Sequence, residues 1–141
     1  MIVFDLDDTL LWNGKVPRQT YHVLRNLNAA GHEIVIISSN LSAAVWVALR
    51  KLGQFVSSLY VPSHTGMTRA DLMGLALSGA RAPTPVFYFD DRLDNLDAVK
   101  KVFDSVTCVH VHDLLDLQVF VKAVVLGTGT LPGECSSDTS L

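Results

Sequence analysis

Residues 2–9 read Ile2-Val3-Phe4-Asp5-Leu6-Asp7-Asp8-Thr9, a short apolar run that breaks into three carboxylates. A run of this length, β-branched and aromatic, is predicted to be a buried strand over Ile2–Leu6. The pattern recurs at Glu33–Ser38, Phe55–Val61, Val86–Phe89 and Val106–Val111. Helical segments separate these runs. Pro17 suits the first turn of a helix that reaches Ala30, buries Tyr21, Leu24 and Leu27, and stops at Gly31. Leu41–Leu52 is predicted as a second helix, with Asn40 as its N-cap and Gly53 as its stop. Thr68 and Asp71 resemble a capping box that opens a helix over Leu72, Leu75, Ala76 and Leu77. Leu93–Phe103 and Asp113–Leu126 complete the set. Short apolar strands, each followed by a helix, predict a three-layer, Rossmann-like α/β fold: a central parallel sheet covered on both faces.

At 141 residues the chain fits one domain, since domains run to about 100–200 residues. Residues 1–126 are expected to form the core. Gly127–Leu141 has almost nothing to bury and is expected to be a disordered tail. Apolar residues make up 49% and charged residues 18%, which excludes a disordered chain. A net charge of −3 argues against nucleic acid as a partner. No apolar run approaches the ~18 residues of a membrane span. The first residues carry neither a basic leader nor the apolar stretch of a secretory signal. Cys108 and Cys135 lie 27 positions apart and show no zinc or redox spacing. A cytoplasmic, reduced location is therefore expected.

Ligands of open α/β sheets bind beyond the carboxyl ends of the strands. The first strand delivers Asp5, Asp7 and Asp8 there, the second Ser38, Ser39 and Asn40, and the fourth Asp90 and Asp91. Carboxylates gathered at one edge repel each other unless a cation sits among them, and oxygen ligands of this kind suit Mg²⁺. Hydroxyls and backbone amides from the second strand could hold an anion beside it.

Asp5-Leu6-Asp7-Asp8-Thr9 after an apolar strand resembles the DxDxT signature of the phosphatases in the haloacid dehalogenase superfamily. Ser38 at the end of Ile34–Ile37 resembles that family's second motif, and Phe87-Tyr88-Phe89-Asp90-Asp91 with Asn95 its fourth. The resemblance covers residues 1 to about 112. It implies a phosphatase in which Asp5 takes up the phosphoryl group as an aspartyl-phosphate. Asp7 would then exchange protons with the leaving oxygen and with water. It also implies Mg²⁺ held by Asp5, Asp90, Asp91 and the backbone carbonyl of Asp7. Asp91 is the expected direct ligand, because its offset to Asn95 matches the family spacing. Ser38, or Ser39 by a one-residue shift, would contact the phosphate, although two strand neighbours cannot both point at it.

One departure stands out. The family places a lysine beside nucleophile and phosphate, yet no lysine lies between Lys51 and Lys100, and Arg69 occupies the expected place. Arginine keeps the charge but is longer and planar. Thirty residues separate Asp7 from Ser38 and thirty separate Ser38 from Arg69, enough for the core's own elements and no inserted cap. Leu10–Val16, with Trp12 and Gly14, would form a short flap; Trp12 either stacks on substrate or packs on its neighbours. An open site admits a phosphoprotein or another large phosphorylated substrate. Small phosphates would need a lid from a neighbour in a homo-oligomer.

The alternative is a catalytically weak member of the same fold that binds phosphate or protein. A phosphorelay receiver would need an acceptor aspartate ending the third strand, where the sequence reads Leu59-Tyr60-Val61-Pro62. Two weaker signals remain. His110 and His112 alternate on one strand face, a spacing that could hold a metal but more often ends a strand in water. Thr139-Ser140-Leu141 matches a PDZ-type C-terminal ligand, a pattern short enough to arise by chance.

Overall fold

The computed structural model describes residues 1–40, 50–80 and 85–126. Among them are five strands: β1 (Ile2–Phe4), β2 (Ile34–Ile37), β3 (Ser58–Tyr60), β4 (Val86–Asp90) and β5 (Val106–His110). All pair in parallel, in the order β3-β2-β1-β4-β5. The helices α1 (Arg18–Ala29), α2 (Arg69–Ser78), α3 (Leu93–Val102) and α4 (Leu114–Leu126) connect or follow them.

Strand alternation sorts the core into two layers, because successive side chains point to opposite faces. Ile2, Phe4, Ile34, Ile36, Phe89 and Val109 pack on one face with Leu24 and Leu27 of α1 and Leu117 of α4. Val3, Val35, Ile37, Tyr88 and Cys108 pack on the other with Leu72 and Met73 of α2 and Leu96 of α3. Helices thus cover both faces, as the near-continuous apolar strands require.

β1 is central, and the chain leaves it toward β2 and β3 before crossing back to β4. The strand order therefore reverses at β1, and this topology opens a crevice at the carboxyl ends. Phe4 and Phe89 are register partners whose rings stack at 5.3 Å. That contact locks the β1–β4 register, so the residues that follow Phe4 and Phe89 emerge side by side.

Several boundaries differ from the sequence reading. The third strand is confined to Ser58–Tyr60, half-buried at the sheet edge. Phe55 instead turns inward, its amide donating to Leu52 O at 2.9 Å and its ring meeting Tyr21 edge-on at 5.1 Å. Pro17 sits at the N-cap of α1, one residue before the first turn. Gly31 follows that helix with φ +86°, a conformation open to glycine at little cost. Leu75 is exposed, whereas Leu72 and Ala76 of the same helix are buried. The second helix was expected at Leu41–Leu52; 50–52 is helical, and 41–49 lies outside the described residues, as does the tail 127–141 with Cys135 and Thr139–Leu141.

The capping box forms. Asp71 N donates to Thr68 Oγ1 at 3.1 Å, and Thr68 N donates to Asp71 Oδ2 at 2.8 Å. These bonds fix the first turn of α2, which begins at Arg69. Thr68→Ala is expected to cost about 1 kcal/mol, the usual loss for an N-cap hydroxyl, read as a lower urea midpoint with an unchanged m-value.

Candidate active site

Asp5 directly follows β1, and its amide donates to Phe89 O at 2.9 Å, extending the β1–β4 ladder by one residue. The chain then turns sharply. Leu6 O accepts from the amides of Leu10 and Leu11 at 3.0 and 2.9 Å, and all three leucines are buried beneath the turn. Asp8 pays for this turn with φ +58°, a region that Asp tolerates better than most residues. Asp5 consequently points inward, 5% exposed, while Asp7 and Asp8 stay exposed along the rim.

A cleft of about 460 Å³ opens over these residues. Asp5, Asp7, Asp8, Ser38, Ser39, Asn40, Arg69, Asp91, Arg92 and Asn95 line it, all of them polar. The sequence-predicted residues therefore converge, except that Asp90 lies behind the cleft wall.

Asp90 is fully buried, and its oxygens are taken. The Tyr88 hydroxyl and the Asn95 amide, at 3.1 Å, donate to Oδ2, and Arg92 N donates to Oδ1 at 2.9 Å. Asn95 thus serves Asp90, not Asp91. The first turn of α3 turns the Asn95 amide back toward the end of β4. Asp91 Oδ1 is buried with no hydrogen-bond partner. Oxygens of Asp5, Asp90 and Asp91 lie within 4.8 Å of one another. An orphaned buried carboxylate oxygen beside two other carboxylates fits a hard divalent cation. Asp5 and Asp91 are the residues open to it. The carboxylate of Asp7 is outside that group.

Arg69 supplies the nearby positive charge. Its side chain is 9% exposed, and Nη1 lies 3.2 Å from Asp5 Oδ1 while donating to Ile37 O at 2.9 Å. Its Nε is buried without a partner. Burial works against the guanidinium's charge, but Tyr88, Asp5 and Asp90 around it raise its pKa above the ordinary value. Asp5 is pushed up to about 9, by burial first and then by the charge of Asp90, with Arg69 opposing. Burial likewise raises Asp90, against its hydrogen bonds and Arg69.

Ser38 is buried, and its hydroxyl oxygen accepts from Asn40 N at 3.1 Å, closing a turn with its own backbone. That bond uses the oxygen and leaves the hydroxyl proton for a ligand. Ser39 is exposed at the rim. Asn40, expected only as a helix N-cap and a polar strand-end residue, donates from Nδ2 to Asp7 Oδ2 at 2.8 Å. Tyr88 was also missed, although period-2 alternation puts it on the same strand face as Asp90. The flap is a tight hairpin in which Trp12 and Lys15 exchange backbone bonds of 2.9 and 3.1 Å around Asn13-Gly14. Trp12 is half-buried and donates from Nε1 to Thr9 O at 3.2 Å, and it is not among the cleft residues. The rings of His110 and His112 meet edge-on at 4.1 Å, but they engage Asp91 O and Asp116, and neither joins a group suited to a metal among the described residues.

Residues 2–63 match the family model of haloacid dehalogenase-like hydrolases, a stretch that holds Asp5, Asp7 and Ser38. No curated protein matches the chain. Among solved structures it is similar to a hydrolase of the same superfamily from Ehrlichia chaffeensis, with a TM-score of 0.62 and 13% identity. The match covers 78% of this chain and 59% of that one. Identity this low shows a shared fold, and the chain spans little more than half of that protein's length. The resemblance read from the strand ends is thus matched both in sequence, across β1 to β3, and in architecture.

The raised pKa of Asp5 has a measurable consequence. Without metal, the folded protein keeps a proton on Asp5 that the unfolded chain, near the ordinary value of 3.8, releases. Stability is therefore fullest below about pH 4 for this group and is lost as pH rises toward 9. Thermal unfolding in chelator is expected to show that decline, and Asp5→Asn to flatten it while adding about 1–3 kcal/mol at neutral pH. Stabilisation by added Mg²⁺ is expected to grow with pH over the same range, because the cation favours the ionised carboxylate.

Proposed function

We propose that the protein is a Mg²⁺-dependent phosphomonoesterase that works through an aspartyl-phosphate on Asp5. One observation carries this reading: a buried carboxylate faces an orphaned carboxylate oxygen on one side and a buried guanidinium on the other, beneath an open polar cleft. Such a site suits phosphoryl transfer, which depends chiefly on positioning and charge neutralisation.

An Asp5 oxygen attacks phosphorus, a new P–O bond forms, and the ester P–O bond breaks. Asp7, held by Asn40, gives its proton to the departing oxygen. It then takes a proton from the water that attacks the acyl-phosphate, which releases inorganic phosphate and restores Asp5. Arg69 and the Ser38 hydroxyl bind the phosphoryl oxygens. Mg²⁺ held by Asp5, Asp91 and the Asp7 carbonyl would neutralise the charge between nucleophile and phosphoryl group. Asp90, with Tyr88 and Asn95, keeps the acidic loop in place. The open cleft suits a phosphate carried on a protein, encountered in the cytoplasm.

The Arg69–Asp5 contact favours a second reading. A guanidinium seated directly on the nucleophile competes with attack, as a phosphate-binding module with weak turnover would tolerate.

Hydrolysis of an aryl phosphate separates the two readings. Mg²⁺-dependent turnover that chelator abolishes is expected, falling by about a thousandfold or more in Asp5→Asn. Arg69→Ala is expected to lose about a hundredfold, and Arg69→Lys to recover part of it. Turnover that is absent, or equal in Asp5→Asn, selects the binding module.

A further inference from the structure

Charge is distributed very unevenly along this chain. From Thr9 to Ala70 the sequence holds six Lys or Arg residues and a single acid, Glu33, although the net charge of the whole chain is −3. Arg18 and Lys51 lie together beside the end of the flap. Arg18, His22 and Arg25 follow one another at helical spacing along the exposed face of α1, with Arg50 and Lys51 also exposed. None of these arginines or lysines makes an ion pair among the described residues. The first turn of α1 carries no acid and its N-cap no side-chain bond, so the helix end adds its own positive potential.

A groove of about 550 Å³ lies there, lined by Val16, Pro17, Arg18, Tyr21, His22 and Lys51. Val16, Pro17 and Tyr21 are half-buried, so the groove pairs apolar surface with an exposed cationic rim. The Tyr21 ring is held edge-on to Phe55, and its hydroxyl accepts from Gln54 Nε2 at 3.1 Å. A rigid aromatic costs little entropy when a ligand covers it.

We propose that this groove docks an acidic peptide segment with an apolar side chain, belonging to the phosphoprotein whose phosphate enters the cleft. The rim meets carboxylates and the apolar surface takes the side chain. A peptide is favoured over nucleic acid because the rest of the sequence holds thirteen acids against five Lys or Arg, a balance that repels a phosphate backbone. The flap joins the two sites. Asp7 and Asp8 at its start line the cleft, and Val16 and Pro17 at its end line the groove. The steps from Asp8 to Val16 span under about 30 Å even when fully extended. The acidic segment therefore lies within about ten residues of the phosphorylated side chain.

The substrate named here rests on the phosphatase reading, but docking is tested by binding alone. The probe is a fluorescein-labelled Glu-rich peptide carrying one leucine and no phosphate, titrated by anisotropy into the full chain and into Asp5→Asn. Saturable binding to both proteins, weakening with salt, is expected. Arg18→Glu/Lys51→Glu is expected to weaken it about tenfold. An acid in the first turn of α1 favours that helix, so this variant is expected to unfold at the wild-type temperature. Lys101→Glu/Lys122→Glu changes the net charge equally on exposed residues that do not line the groove and is expected to leave binding within about twofold. Equal losses in the two double variants, no binding, or a single-stranded oligonucleotide that binds more tightly than the peptide would each overturn the proposal. Peptide binding without any phosphatase turnover would keep the docking groove and remove the phosphatase reading.

Discussion

Three carboxylates converge beneath the cleft with oxygens within 4.8 Å of one another, and Arg69 is the guanidinium set against them. The surrounding architecture answers to this concentration of charge. The β1–β4 pairing, locked by Phe4 against Phe89, brings Asp5 next to Asp90 and Asp91. Tyr88, Asn95 and Arg92 N neutralise Asp90 by hydrogen bonds, so the uncompensated oxygen falls on Asp91. The capping box starts α2 at the residue whose guanidinium reaches Asp5. Burial makes each of these charges costly alone, and a cation between them turns a repulsive cluster into a binding site.

The sheet and the site separate their tasks cleanly. Apolar alternation in β1, β2 and β4 fills both core layers, while the first residues past each strand are polar and meet at the crevice. Because that crevice lies where the strand order reverses, side chains from β1, β2 and β4 meet there with no helix between them. The flap and α1 extend the same edge outward, carrying the chain from acidic cleft to basic groove within one short hairpin.

Much of this was legible in the residues. Asp5 and Ser38 directly follow apolar runs, Asp91 comes one residue after another such run, and Arg69 stands where the resemblance expects a lysine; all four line the cleft. What the sequence did not reveal depends on side chains that meet from distant segments. Asn40 reaches Asp7 across 33 positions, a contact no spacing rule encodes. The Asn95 bond to Asp90 was not legible either, since a helical turn and a strand end set its direction jointly. The third strand was drawn too long because Phe55 and Val56 are apolar for the sake of helix packing, not pairing. Asn13-Gly14, with φ values of +54° and +73°, is a two-residue hairpin signal and makes the flap a tight turn.

The central claim is that Asp5 carries the phosphoryl group, and a phosphoryl mimic tests it without a known substrate. Fluorine NMR of the protein with Mg²⁺ and beryllofluoride reads out a trifluoroberyllate bound to a single carboxylate. A bound resonance that needs Mg²⁺ and vanishes in Asp5→Asn is the required result. A resonance that survives in Asp5→Asn, or none in the wild type at saturating Mg²⁺, would contradict the account.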